Sequence, residues 1–542
     1  MKPFFRVFLL VAAACTALAQ TPAINYVENS ATNVPAGLPN SGIAQGSLFV
    51  VKGKNLGPAA VIVANSFPLQ TTLGGTSVTV TVSGTTVNAI MYYSLASQVA
   101  AILPSSTPVG DGTLTVTYNG GSATAPIEVV QNNIGIFTVS QSGTGDAIAF
   151  LNADNGLITP THAANPSDVI VFWGTGLGPV TSDETQPAVQ TNMTDIPLQV
   201  YIGGQQADIV FQGRNACCSS VDTVYVTVPL GVSGCAVAVN MIIGDMVANT
   251  TTIAIADSGR TCTPVNPNLS VSGTGTYTYG GFSLERVVQS QTIGGITTTA
   301  KNDAVGGSFL QVTYSGAYVQ GSQMDINSYG SCTVATQIAG QSVPQTPLST
   351  VHYLDAGASI ALSAPFGNRN VARTASGGYE SILDQSASTL TAGTYTFMGS
   401  GGADVGPFTG TFPLPALFVW TNQSSVKTVS RSDGVTVNWS GGDPSGYVTV
   451  SGQSIAYGST SANSVIVSFT CTARASDGSF TVPPSILMAL PASAAAPGSQ
   501  TLTLGGLAVS GTSAPQSFPA PPGIQYASLS TLFAYSGSVT YQ

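Results

Sequence analysis

The chain has only two histidines in 542 residues, so acid–base chemistry through imidazole has two places to start. His352 stands between Ser349 and Asp355, the residue types that a nucleophile, base and orienting acid require. His162 follows Pro160 and has no acid marked out for it. Neither is accompanied by a Gly-x-Ser-x-Gly elbow on a strand–helix turn, and both read as loop decoration. Paired carboxylates for glycoside cleavage would have to come from Glu380, Asp384, Asp404, Asp433, Asp443 or Asp477. The last three sit in Asp-Gly or Asp-Pro pairs and read as turns, which leaves Glu380, Asp384 and Asp404, with Arg373 nearby. Asn152-Ala-Asp-Asn-Gly156 carries oxygens at alternate positions, as a calcium loop does, but lacks the closing carboxylate and reads as a hairpin turn. Cys217-Cys218 lacks the spacer of a zinc site. No metal, cofactor or catalytic residue is assigned. Trp173, Trp420 and Trp439 fall in apolar, strand-like runs and read as core rather than as a sugar-stacking row.

The elements that must position these residues are strands. Thr76-Ser-Val-Thr-Val-Thr-Val-Ser83 alternates strictly, so its valines face a core and its hydroxyls face water. Thr113-Leu-Thr-Val-Thr-Tyr118 does the same and stops at Asn119-Gly120, a hairpin turn. With 61 Gly, 32 Pro and few helical periods, the class is all-β, built of sandwiches.

Charged residues make up 7% of the chain against about 25% in an average domain, while 43% is hydrophobic. This is not a disordered composition. The net charge of −10, with no Lys/Arg cluster, argues against a nucleic-acid partner. Residues 1–19 read as a secretory signal: Lys2 and Arg6, then an apolar run, then Ala17-Leu-Ala19. Cys15 raises a lipoprotein alternative, weakened by Ala12 where a lipobox has Leu. No apolar run after the leader is long enough to span a membrane as a helix. Secreted or cell-surface placement is expected, and six cysteines after the leader suit disulfides.

One motif occurs twice. Gly46-Ser-Leu-Phe-Val-Val-Lys-Gly-Lys-Asn-Leu-Gly-Pro58 is echoed by Ser167-Asp-Val-Ile-Val-Phe-Trp-Gly-Thr-Gly-Leu-Gly-Pro179. Gly53 and Pro58 map onto Gly174 and Pro179 at one constant offset, at equivalent turns after a strand. Residues 99–104 recur as 224–229, and Gly74-Gly75 recurs as Gly203-Gly204. The expected division is 1–19 leader, 22–137 and 138–258 repeat sandwiches, 267–412 a β-rich domain and 413–542 a sandwich-like domain.

Leu151-Asn-Ala-Asp-Asn-Gly156, Ala164-Asn-Pro166 and the second motif copy resemble a family of exported acidobacterial proteins. Tyr93-Ser-Leu-Ala-Ser-Gln-Val99 and Asn215-Ala-Cys-Cys-Ser-Ser-Val-Asp222 extend the match. These proteins carry a Solibacter-type C-terminal domain similar to immunoglobulin-like IPT/TIG modules. The resemblance covers about 25–262 and implies export and tandem immunoglobulin-like sandwiches, with no reaction. It places Cys235 and Cys262 in one module, where a disulfide would contribute roughly 3.5 kcal/mol by chain entropy. Cys217 and Cys218 have two readings, a vicinal bridge or competition for Cys235. Cys332 and Cys471 then pair by elimination. The expected function is non-catalytic, structural or adhesive, with an extracellular polysaccharide or a surface protein as partner. The alternative is a carbohydrate-binding or carbohydrate-active site within 267–542.

Overall fold

The computed structural model describes residues 21–263, 275–293, 296–314, 327–338, 349–456, 464–493 and 505–542. The leader with Cys15 lies outside the described residues.

In the first repeat, β1 (Ala23–Asn29), β2 (Ile43–Ala44), β3 (Leu48–Lys54), β4 (Thr76–Val82), β5 (Thr85–Asn88), β6 (Ile90–Leu95), β7 (Gln98–Ile102), β8 (Gly110–Tyr118) and β9 (Gly121–Val130) make two sheets. One runs β1-β3-β7-β6, the other β2-β9-β8-β4 with β5 beside β4. The chain crosses between sheets after β1, and β2 pairs in parallel with β9. That is the strand order of an immunoglobulin-like sandwich. The alternation in β4 has the expected result: Val78, Val80 and Val82 are fully buried against Phe49, Val51 and Val99.

The second repeat begins a few residues before the expected 138, because Ile134 and Ile136 belong to its core, and it follows the same path: β10 (Gly135–Ile136), β11 (Val169–Thr175), β12 (Leu198–Ile202), β13 (Gln205–Arg214), β14 (Asp222–Thr227), β15 (Gly234–Ile243) and β16 (Thr251–Ile255). Here the ten-residue β13 belongs to both sheets, so they join into one continuous path. The sequence echo of Gly74-Gly75 with Gly203-Gly204 needs correcting. Gly203-Gly204 joins β12 to β13, the place held in the first repeat by Ser83-Gly84 between β4 and β5, whereas Gly74-Gly75 precedes β4. All three pairs have positive φ at both positions, so the same hairpin turn was matched one hairpin too early.

The remainder is one body. A sheet runs β19 (Cys332–Ile338), β23 (Val465–Arg474), β22 (Tyr447–Ala456), β24 (Gly505–Thr512), β25 (Tyr526–Tyr541), β17 (Gly275–Ile293), β18 (Ile296–Tyr314), β20 (Tyr379–Asp384) and on to β21 (Phe408–Leu414). The expected boundary at 412–413 falls inside β21. One core joins Phe282 and Phe397 on its near side to Trp439 and Tyr535 on its far side, so 267–412 and 413–542 do not separate. Trp420 and Trp439 lie in that core; Trp173 is half-buried against Phe150.

The three units interlock. Leu38, from the loop between β1 and β2, is buried in the core of the C-terminal body. In that same loop, Asn40 accepts from the Val247 amide at 3.0 Å, and its carbonyl accepts from Asn133 Nδ2 at 2.8 Å.

Candidate functional site

The twice-used motif builds the joint between the repeats. Leu56 and Leu177 are fully buried. A Cβ on Gly53 would collide with the Ala23 carbonyl, and one on Gly174 with the equivalent Gly135 carbonyl. After the second turn, Glu184 reaches across and accepts from the Ser105 amide at 2.7 Å and its hydroxyl at 2.9 Å. Burial pushes its carboxyl above the ordinary value, against the pull of those two bonds. Thr175 Oγ1 accepts from the Leu48 amide at 2.9 Å and donates to the Ser220 carbonyl at 2.7 Å. Ser220 Oγ donates to the Gly46 carbonyl.

The residues that could have done chemistry are dispersed. His162 does have an acid, Asp154 Oδ2 at 3.1 Å, which the sequence did not mark; Asp154 is exposed and His162 half-buried. Asp154 also accepts from the Gly156 amide at 2.8 Å, so residues 152–156 form a turn with the imidazole resting on it. His352 lies in a strand opposite Gln311, while Asp355 accepts from Gly357 and faces Arg373 at 3.5 Å. Asp404 accepts from the Asp355 amide at 2.8 Å, closing a loop. Asp384 accepts from the amides and hydroxyls of Ser386 and Ser388, which hold its carboxyl well below the usual range. Asp443 binds Ser445 and the Ala514 amide, and Asp477 the Arg474 amide. Glu380, Asp384 and Asp404 therefore do not converge.

Glu380 instead shares a groove of about 400 Å³ with Glu285, Ser283 and Tyr353. Glu285 was missed in the sequence. Its signal is the phase of β17: Phe282 and Leu284 point into the core, so Ser283 and Glu285 point out. A second concavity, about 560 Å³, lies on the outer face of six neighbouring strands, from β18 to β23. Among the described residues no three His, Cys, Asp or Glu side chains group to hold a metal, and no helix is long and apolar enough to cross a membrane.

Among the described residues there are three disulfides. Cys235–Cys262 ties β15 to the segment after β16; Cys332–Cys471 joins directly opposed residues of β19 and β23; Cys217 and Cys218 bond each other.

No protein-family profile and no curated protein matches this sequence. Among solved structures, the I9–I11 tandem of titin aligns over 68% of this chain and 92% of its own, at 10% identity and a TM-score of 0.12. Domains 5–6 of the S-layer protein SbsC align over 44% and 100%, at 13% and 0.15. Invasin, a bacterial integrin-binding protein, aligns over 91% and 76%, at 9% and 0.12. At such scores the fold assignment stands on strand order and burial.

Proposed function

We propose that the chain is a non-catalytic protein of the cell surface or exterior, working as a stiff structural or adhesive element that presents loops. The observation that carries this reading is the interlock: Leu38 of the first repeat completes the core of the C-terminal body. Ser105 and Glu184 further fix one repeat to the next. A mobile string of domains would need neither contact. Support also comes from the acids flagged for catalysis: Asp384, Asp443 and Asp477 bind backbone amides of their own turns, and Asp404 binds the amide of Asp355. Outward placement rests on the leader-like residues 1–19 and the low charge content. A carbohydrate-active second reading is favoured by one observation, the Glu285–Glu380 groove. The test is a panel of polysaccharide and ester substrates against the purified mature chain and a Glu285→Ala/Glu380→Ala variant. No turnover by either is expected; turnover by the first that the variant loses establishes the enzyme.

A further inference from the structure

The concavity on the outer face of the C-terminal sheet has a composition that selects its occupant. It crosses β18, β17, β25, β24, β22 and β23 on their outer face, roughly 24 Å at the usual strand spacing of about 4.8 Å. Its volume of about 560 Å³ lies in the range of ligand sites. None of the described residues that line it is charged. Gln289 and Gln291 stand along one wall and Gln453 with Ser451 along the other, with Ser536 between them. Amides and hydroxyls both donate and accept, which matches a ligand made of hydroxyl groups.

The floor gives the second observation. Gly506 points outward in the alternating strand β24, paired with Gln453 on one side and Ser538 on the other. Its φ is not left-handed, and an added Cβ would meet nothing nearer than Gln453 Cγ at 3.7 Å. Neither conformation nor packing of the described residues therefore asks for glycine here, and glycine weakens a strand. What it does is bare the backbone at the bottom of the trough, where a ligand can approach closely.

We propose that this trough binds a neutral polysaccharide or oligosaccharide laid across the strands. A charged polymer would lose hydration with no opposite charge to replace it. Nucleic acid would lack the cations its phosphates need. An extended peptide gains its affinity from an unpaired strand edge, and this site is a sheet face whose backbone bonds are already made. The inference deepens the non-catalytic reading by naming a ligand class, and it rests on that reading.

The experiment uses the full mature chain. Calorimetric titration with soluble neutral glycans (mixed-linkage β-glucan, arabinoxylan, galactomannan, dextran) is run beside polygalacturonate and a threonine-rich peptide. Reducing ends are measured in the same samples. At least one neutral glycan is expected to bind. Gly506→Val, which suits a strand and has room, is expected to weaken that binding at least tenfold, as is Gln453→Ala. Thr449→Val, on the same face beyond the trough, should leave it unchanged, and all three variants should keep the wild-type melting temperature or exceed it. Absence of neutral-glycan binding, binding of the charged polymer or peptide alone, or glycan binding untouched by Gly506→Val overturns the site and leaves the scaffold reading standing. Binding accompanied by new reducing ends overturns the non-catalytic reading and leaves the site.

Discussion

The two repeats hold the same turn by different means. In the first, the amides of Gly53 and Leu56 bond to the carbonyls of Ser97 and Ala96 in the tight β6–β7 hairpin. In the second, the amides of Gly176 and Leu177 both donate, at 2.8 Å, to one carboxylate oxygen of Asp222, a fully buried residue. Arg214 neutralises it through Nε at 2.8 Å and also reaches the Gly178 carbonyl at 3.2 Å. Burial still pushes the Asp222 carboxyl above its ordinary value. The exchange of backbone for side-chain acceptors accompanies a longer β13–β14 loop, and that loop carries Ser220 to the first repeat. A duplicated framework thus keeps its turn while one copy spends extra residues on a joint.

The largest expected effect tests that difference. Asp222→Ala leaves the Arg214 charge buried without its carboxylate and two amides unsatisfied, and should cost about 3–5 kcal/mol by urea unfolding. Ser97→Ala, at the equivalent place in the first repeat, should stay within about 0.5 kcal/mol, because only its carbonyl is used. Comparable losses from both would erase the distinction. Next, Cys262→Ser should destabilise the second repeat by roughly 3 kcal/mol, with no counterpart in the first. Gly53→Ala and Gly174→Ala should then cost similar amounts, about 1–3 kcal/mol each, since their added methyls meet equivalent carbonyls. Unequal costs would show that the two turns are not equivalent.

The smallest effect is pH-dependent. Glu184, Glu28 and Asp222 are all raised by burial, so the folded repeats bind these protons more readily than the unfolded chain. Their desolvation penalty is full above the raised values and is relieved as pH falls toward the ordinary 4.5 of Glu and 3.8 of Asp. Asp384 in the C-terminal body, like Asp154 and Asp183 in the second repeat, has the opposite sign: its contribution is present above 3.8 and is lost below it. Thermal melts between pH 7 and pH 4 should therefore shift the repeats upward slightly. A downward shift from pH 7 would contradict these directions.

Local patterns were legible in the sequence. The alternation of β4, the hairpin at Asn119-Gly120 and the duplicated glycines all act within a few residues. The Asp222–Arg214 clamp was not legible, because nothing in the spacing says which buried carboxylate faces a turn's amides. The unity of the C-terminal body was hidden for a different reason. β17 pairs in parallel with β25, and the Thr278 amide donates to Gln525 Oε1 across 247 residues of sequence. Such a pairing leaves no local trace, so the sequence Phe412-Pro-Leu-Pro415 reads as a domain boundary. Glu285 was overlooked because strand phase, which turns it outward, becomes clear only once Phe282 and Leu284 are known to be core. For Gly506 the sequence offers a glycine among many, and only its outward position with open space around it separates it from the rest.

The interlock is the central claim, and Leu38 tests it most directly. In a Trp173→Phe background, Trp420 and Trp439 report on the C-terminal core alone. Leu38→Ala, a change in the first repeat, is predicted to lower the urea midpoint seen by those tryptophans, with a loss of about 2 kcal/mol or more in unfolding free energy as for other buried leucines. An unchanged C-terminal transition, with any loss confined to the first repeat, would contradict the account.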